Sequence, residues 1–247
     1  SEVLITTSSG TGAFESAGVN LLSPGEPVVA VSHGEFGERW QQLAAALGAD
    51  VHPLTYRWGE EPAPTDLAAA LRSSGAAVAM VVHSETSTGV VSDVEALGAA
   101  CRAAGAICVV DAVSSLGAVP LETDAWGLDV VVTGSQKALM CPPGLGFVAV
   151  SERAREKARS ATMPRFYWDW EGAFAMAAKD NTPFTPAVST IVALDVALRL
   201  LLEEGLEHAF ARHVALGRAC RAGVKALGLE LYSPDSDRAA ILTAVMT

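Results

Sequence analysis

Short apolar runs of five to eight residues recur along the chain, each closing on small or polar residues, with Ala- and Leu-rich stretches between them. A hydrophobic period that switches from strand to helix and back is the signature of βαβ units. The pattern predicts strands near 2–7, 27–32, 49–54, 77–83, 106–111, 128–133 and 146–150. It predicts helices near 12–22, 36–47, 65–74, 92–104, 187–204 and 206–227. The strand runs are almost continuous Val, Ile, Ala and Leu, as burial on both faces of a mainly parallel sheet requires, so the expected class is an α/β layer sandwich. Region 152–186 breaks the rhythm with charged residues, then an aromatic stretch and several prolines, and is expected to be a long functional loop. The last apolar run, Ala239 to Met246, is expected to begin a strand of a second lobe.

With 247 residues, 50% hydrophobic and 18% charged, the chain is long enough for one sizeable core, or a core plus a small lobe. Its 28 acidic and 17 basic residues give a net charge of -11, which repels a polyphosphate backbone, so no nucleic-acid partner is expected. The longest apolar runs fall short of the roughly 20 residues that span a bilayer, so no membrane is expected either. Neither end carries a leader or lipidation signal, and the chain is expected to start mid-fold. Cys101, Cys108, Cys141 and Cys220 form no CxxC pair, which suits buried free thiols in a reducing cytoplasm. The dispersed histidines, His33, His52, His83, His208 and His213, suggest no metal site.

Ligands of open α/β sheets lie beyond the carboxyl ends of the strands. Four of those ends are unusually polar: Thr6 to Gly12, His83 to Gly89, Asp111 to Ser115, and Thr133 to Lys137. Lys137 follows an apolar strand among Gly, Ser, Gln, Ala and two prolines, where partial desolvation would free a neutral amine for imine formation. An anion-binding or surface lysine fits the same residues. Asp111 closes the run Ile107-Cys108-Val109-Val110, and a carboxylate buried there should have a cationic partner. A protonated pyridine nitrogen is one such partner; an N-cap or salt-bridge role is the other reading. Ser8-Ser9-Gly10-Thr11-Gly12 precedes a helix expected to begin at Ala13, a place for a phosphate. Glu15 at the third glycine position opposes a dinucleotide. Phe36, between Gly34 and Gly37, suits a ring stacked on a planar ligand as well as it suits a core. No Gly-x-Ser-x-Gly elbow supports a serine hydrolase at His83 to Gly89.

Taken together, several segments resemble class V pyridoxal-phosphate aminotransferases of the alanine–glyoxylate and serine–glyoxylate type, in order and in spacing. They are Ser9-Gly10-Thr11, Phe36, His83 to Gly89, Asp111-Ala112-Val113-Ser114-Ser115, and Gly134-Ser135-Gln136-Lys137-Ala138-Leu139 with Pro142-Pro143-Gly144. The likeness covers essentially the whole chain. It implies the fold-type I transferase architecture, with a mainly parallel seven-stranded sheet in a three-layer α/β/α large domain over 1–190. Connecting helices and the start of a small C-terminal α+β lobe would occupy 191–247. It also implies pyridoxal 5'-phosphate as cofactor and transamination between a small amino acid, alanine or serine, and a keto acid such as glyoxylate.

By the same resemblance, Lys137 would bond the cofactor and move the proton between substrate and cofactor, and Asp111 would pair with the pyridine nitrogen. Phe36 would stack on the ring, with Thr86 and Val113 holding its oxygen and opposite face. Ser9, Gly10, Thr11 and Gln136 would hold the phosphate. Thr182 and Thr185 would reach the phosphate of a neighbouring subunit, giving a homodimer with shared active sites. Phe36 stands where the family often has Trp, and Thr11 where it often has His. The chain is expected to lack the family's N-terminal arm and most of its C-terminal domain. None of Arg199, Arg212, Arg218, Arg221 or Arg238 sits in the context of the family's carboxylate-binding arginine. Alternatives on the same fold are an aminoethylphosphonate–pyruvate transaminase and a cysteine desulfurase-like lyase, although the latter usually places His where Gln136 stands. A catalytically silent cofactor-binding module and, more remotely, a dinucleotide-dependent oxidoreductase are the others.

Overall fold

The structure, a computed structural model, describes residues 1–246. Its strands are β1 (Glu2–Thr7), β2 (Pro27–Ser32), β3 (Asp50–Thr55), β4 (Val78–Val82), β5 (Ser84–Glu85), β6 (Val90–Val91), β7 (Ile107–Asp111), β8 (Val130–Gly134) and β9 (Leu145–Val150). The helices are α1 (Gly10–Leu21), α2 (Glu35–Ala46), α3 (Pro64–Ser74), α4 (Val94–Ala103), α5 (Glu152–Ser160), α6 (Trp170–Ala177), α7 (Val188–Glu204) and α8 (Leu206–Ala226). Seven strands form one sheet in the order β1-β9-β8-β7-β4-β2-β3, and β5 pairs with β6 as a small hairpin. Within the seven, β9 alone runs against the others. The expected mainly parallel seven-stranded sheet is what forms.

Alternate residues of the central strands face two separate apolar layers. Val28, Ala30, Met80 and Val132 pack with Phe14 of α1 and Trp40 of α2. Val29, Val31, Ala79, Val81 and Val110 pack with Leu67 and Leu71 of α3 and Leu97 of α4. Helices on both faces are why the central strands β2, β4, β7 and β8 stay apolar until they end, while the edge strands β1 and β3 are largely exposed and carry Glu2 and His52. The Phe14 and Trp40 rings stack at 4.3 Å between α1 and α2, and burying such a ring contributes roughly 2–3 kcal/mol.

Four expectations are corrected. Region 152–186 holds two helices rather than one long loop: the Ser151 side chain caps α5 through Ala154 N, and Asp169 caps α6 through Gly172 N. Helix α1 begins at Gly10, ahead of the expected Ala13, because Ser9 is its N-cap and accepts from Gly12 N at 3.3 Å. The run from Ala239 to Met246 makes only a single antiparallel bridge, Leu231 to Val245, after a short 3-10 turn at Asp237–Ala239. Cys101, Cys108 and Cys141 are buried, but Cys220 on α8 is exposed. The expected division at 190/191 falls inside α7, and Thr247 lies outside the described residues. Among the described residues no helix is long and apolar enough to cross a membrane.

Candidate active site

β4, β7 and β8 end side by side, with Val82 in register with Asp111 and Asp111 with Val132. The polar residues that follow these strands therefore meet at one edge of the sheet. His83 N donates to Asp111 O at 2.9 Å, His83 Nδ1 and Ser115 Oγ are 2.9 Å apart, and Thr86 Oγ1 and Ser114 Oγ are 2.6 Å apart. These bonds tie the segment after β4 to the segment after β7. Burial pushes the His83 imidazole down to about 4, so it is neutral and acts here as a tie.

Asp111 is 4% exposed, and its Oδ1 accepts from Val113 N at 2.8 Å. Among the described residues no Lys, Arg or His forms an ion pair with it. Burial, with the nearby charge of Glu85, pushes the Asp111 carboxyl up to about 8, against the Val113 amide and the charges of Arg39 and Lys137, which pull it down. The cationic partner expected from the sequence is thus not supplied by the chain itself.

Lys137 lies in the turn after β8. Ser135 Oγ donates to Pro142 O at 2.7 Å and accepts from Leu145 N at 3.3 Å, while Met140 N donates to Lys137 O at 2.9 Å. The turn is pinned across its base and returns directly into β9. The side chain is exposed, not crowded among polar groups as expected. It lines a cavity of about 280 Å³ with Ser114, Met140, Arg212, His213 and Leu242. Arg212 and His213 belong to no motif, and only the path of α8 brings them here. Arg212 grips Glu204 through two hydrogen bonds of 2.5 and 2.8 Å, and burial lowers the His213 imidazole.

At the start of α1, the amides of Gly10 and Thr11 have no hydrogen-bond partner among the described residues, as expected of a helix N-terminus facing a cleft. A Cβ at position 10 would lie 2.7 Å from Val113 Cγ2, and one at position 134 would lie 2.9 Å from Gln136 Oε1 and 3.4 Å from Gly10 N. Gly10, Val113, Gly134 and Gln136 therefore share one corner, kept open by two missing side chains. Ser9, Thr11 and Gln136 are exposed. Phe36 is half-buried in the first turn of α2, with the Arg39 guanidinium carbon 4.6 Å from its ring centroid. Thr182 and Thr185 are not brought to the Lys137 cavity. They line a separate cavity beside β1 and Tyr167, where Thr182 Oγ1 donates to Phe184 O and Phe184 stacks on Tyr167 at 4.8 Å.

A protonated ring nitrogen would give Asp111 the cation it lacks, and a phosphate would meet the free amides of Gly10 and Thr11. An amine stands on a pinned turn within the reach of Asp111's field. The residues fit pyridoxal 5'-phosphate.

The aminotransferase class-V family model matches residues 1–247. Over 248 residues the chain is 47% identical to a Synechococcus protein named "Soluble hydrogenase, small subunit", with 99% of this chain and 65% of that protein covered. It is 40% identical to the serine–glyoxylate aminotransferase of Methylorubrum extorquens, covering 92% of this chain and 59% of that protein. The solved pyridoxamine–pyruvate aminotransferase of Mesorhizobium loti superposes with a TM-score of 0.92 at 34% identity, over 100% of this chain and 64% of that one. The chain thus spans about two thirds or less of the length of these proteins. Its seven-stranded sheet, the match along its full length and the likeness of its fold to a solved transaminase agree, and the chain belongs to the class-V aminotransferase family, whose cofactor is pyridoxal 5'-phosphate.

Proposed function

We propose that the protein of which this chain is the cofactor-holding part catalyses transamination between a small amino acid, alanine or serine, and a keto acid such as glyoxylate. The observation that carries the reading is the Asp111 carboxyl, buried at a strand end without a cation and pushed up to about 8. When bound, pyridoxal phosphate supplies an electron sink for the charge left on a substrate carbon that has lost its proton. Asp111 holds the ring nitrogen in its protonated form, which is what makes the sink deep. Phe36 and Val113 would hold the ring on its two faces, and Thr86, already bonded to Ser114, would bond its oxygen. Ser9, Gly10, Thr11 and Gln136 hold the phosphate and so fix where the ring lies. Lys137 Nζ would take the proton from the substrate α-carbon and deliver it to the cofactor's C4′ carbon, across the nitrogen between them.

Residues 1–190 form the large domain in this reading, and 191–247 the connecting helices and the start of a second lobe. The working unit is a homodimer in the cytoplasm. Exposed apolar residues of α7, Val188, Val192, Val196, Leu200 and Leu202, support an association that covers them. Thr182 and Thr185, which line a cavity other than that of Lys137, then serve the partner's phosphate. The name of the Synechococcus relative describes that protein alone.

The test is a donor-by-acceptor screen of the recombinant protein with added cofactor, reading glycine formed from glyoxylate by mass spectrometry. Alanine or serine should give glycine with the wild type, and Lys137→Ala should lower the rate at least about a thousandfold. A wild type that binds cofactor but transfers no amino group with any pair would refute the assignment.

A further inference from the structure

The segment Ser84–Gly89 contributes Thr86 to the reading above, but its most buried charged group has no part in it. Glu85 is 0% exposed, and among the described residues it pairs with no Lys, Arg or His. A buried carboxylate without a cation is expensive unless several donors meet it. Four do. Phe36 N approaches Oε2 at 3.1 Å and Oε1 at 3.3 Å, Gly37 N donates to Oε2 at 3.1 Å, and Ser87 donates to Oε1 through N at 3.1 Å and Oγ at 2.7 Å.

Phe36 and Gly37 carry orphan amides of the first turn of α2, at the positive end of the helix. The N-cap position is Gly34, which has no side chain to do the capping. A Cβ there would fall 2.5 Å from Glu85 Cδ and from Ser87 Oγ, so the carboxylate packs directly on the cap backbone. A cap needed only for helix stability comes more cheaply from Ser or Asp at the N-cap itself. A cap delivered from β5, in the segment that follows β4, does something further. It registers α2 against the segment whose Thr86 is bonded to Ser114 and whose His83 is bonded to Ser115, beside Asp111. The ring of Phe36 leaves the backbone at the clamped amide.

We infer that Glu85 is a positioning residue: by gripping the Phe36 and Gly37 amides, its buried carboxylate fixes the Phe36 ring relative to the Asp111 carboxylate. The inference rests on the proposed cofactor reading, since the purpose of the clamp is to hold Phe36 against the cofactor ring.

Two measurements on Glu85→Gln, with Glu85→Ala as the harsher variant, test it. The first is hydrogen exchange across 33–38 in cofactor-free protein, where loss of the charge-assisted bonds should speed exchange about tenfold or more in Glu85→Gln. The second is the dissociation constant of pyridoxal phosphate, read from cofactor fluorescence, in a cycle with Phe36→Ala. Glu85→Gln should weaken cofactor binding about tenfold in the wild-type background and less than about twofold when Phe36 is already Ala, because it acts through that ring. A merely structural role predicts equal losses in both backgrounds, and that result overturns the inference. Unchanged exchange in both variants overturns it as well. A wild type that takes up no cofactor overturns the functional reading and with it the purpose of the clamp, while the exchange measurement separately reports whether the clamp exists.

Discussion

A carboxyl held at about 8 in the folded chain, against 3.8 in the unfolded one, is a folding cost that grows with pH. Between those values the folded state binds more protons than the unfolded state, so stability falls as pH rises. The penalty is absent below about 3.8 and complete above about 8. Asp111→Asn keeps the shape and discards the charge. In cofactor-free protein the variant should therefore be more stable than wild type by about 2–4 kcal/mol at pH 8.5 and nearly equal to it at pH 4, by urea denaturation at the two pH values. A variant less stable than wild type at pH 8.5 contradicts this. Saturating cofactor should reverse the order, because Asn cannot hold a protonated ring nitrogen as strongly. Asp111 was legible in the sequence because a charged residue closing an unbroken apolar run must be buried. The exposure of Lys137 was not, since its surroundings depend on how the turn to β9 folds back. Arg212 and His213 were illegible for a simpler reason: nothing local marks a helix face that faces a distant strand end.

The meeting of α1 with β7 and β8 is set by two glycines, and this is where a helix positions chemistry. Gly10→Ala would drive a Cβ to 2.7 Å from Val113 Cγ2, inside contact distance. Relief requires α1 to back away from the segment after β7, which destabilises the fold by about 1–3 kcal/mol. It also lifts the Gly10 and Thr11 amides off the proposed phosphate site. The dissociation constant of pyridoxal phosphate should rise at least about tenfold, while the isolated ring without phosphate, pyridoxal, should bind nearly as before. Equal losses for both ligands would show that the glycine matters only to packing. The central strands β2, β4, β7 and β8 could be read from the chain because burial on both faces leaves them apolar until they end, and α1 to α4 because each spaces large apolar residues such as Phe14, Trp40, Leu67 and Leu97 on one face. Helix α5, Glu152–Ser160, buries only Ala154 and Ala158 and so shows no apolar stripe. Helix α6, Trp170–Ala177, is short and hidden among aromatics and prolines. The run 239–246 misled in the other direction: apolar residues in a row make a strand only when a partner strand is there to pair with, and here a single bridge forms.

At the scale of the molecule, the proposed dimer turns on which chain's site the loop of Thr182 and Thr185 serves. Lys137 lines one cavity and Thr182 with Thr185 lines another, on the β1 side of the sheet. In the proposed two-fold dimer each chain lends its threonine loop to the phosphate of the other. Lys137→Ala and the double variant Thr182→Ala with Thr185→Ala should then each be impaired alone, the first nearly completely. In a mixed dimer, the Lys137 of the threonine variant meets the intact loop of the lysine variant, so one of the two sites is whole. Random mixing makes half the dimers mixed, and co-expression of equal amounts should restore about a quarter of wild-type glycine formation beyond what the two variants contribute separately. Loops that serve their own chain give a mixed dimer with no whole site, and activity would then stay at the average of the two variants.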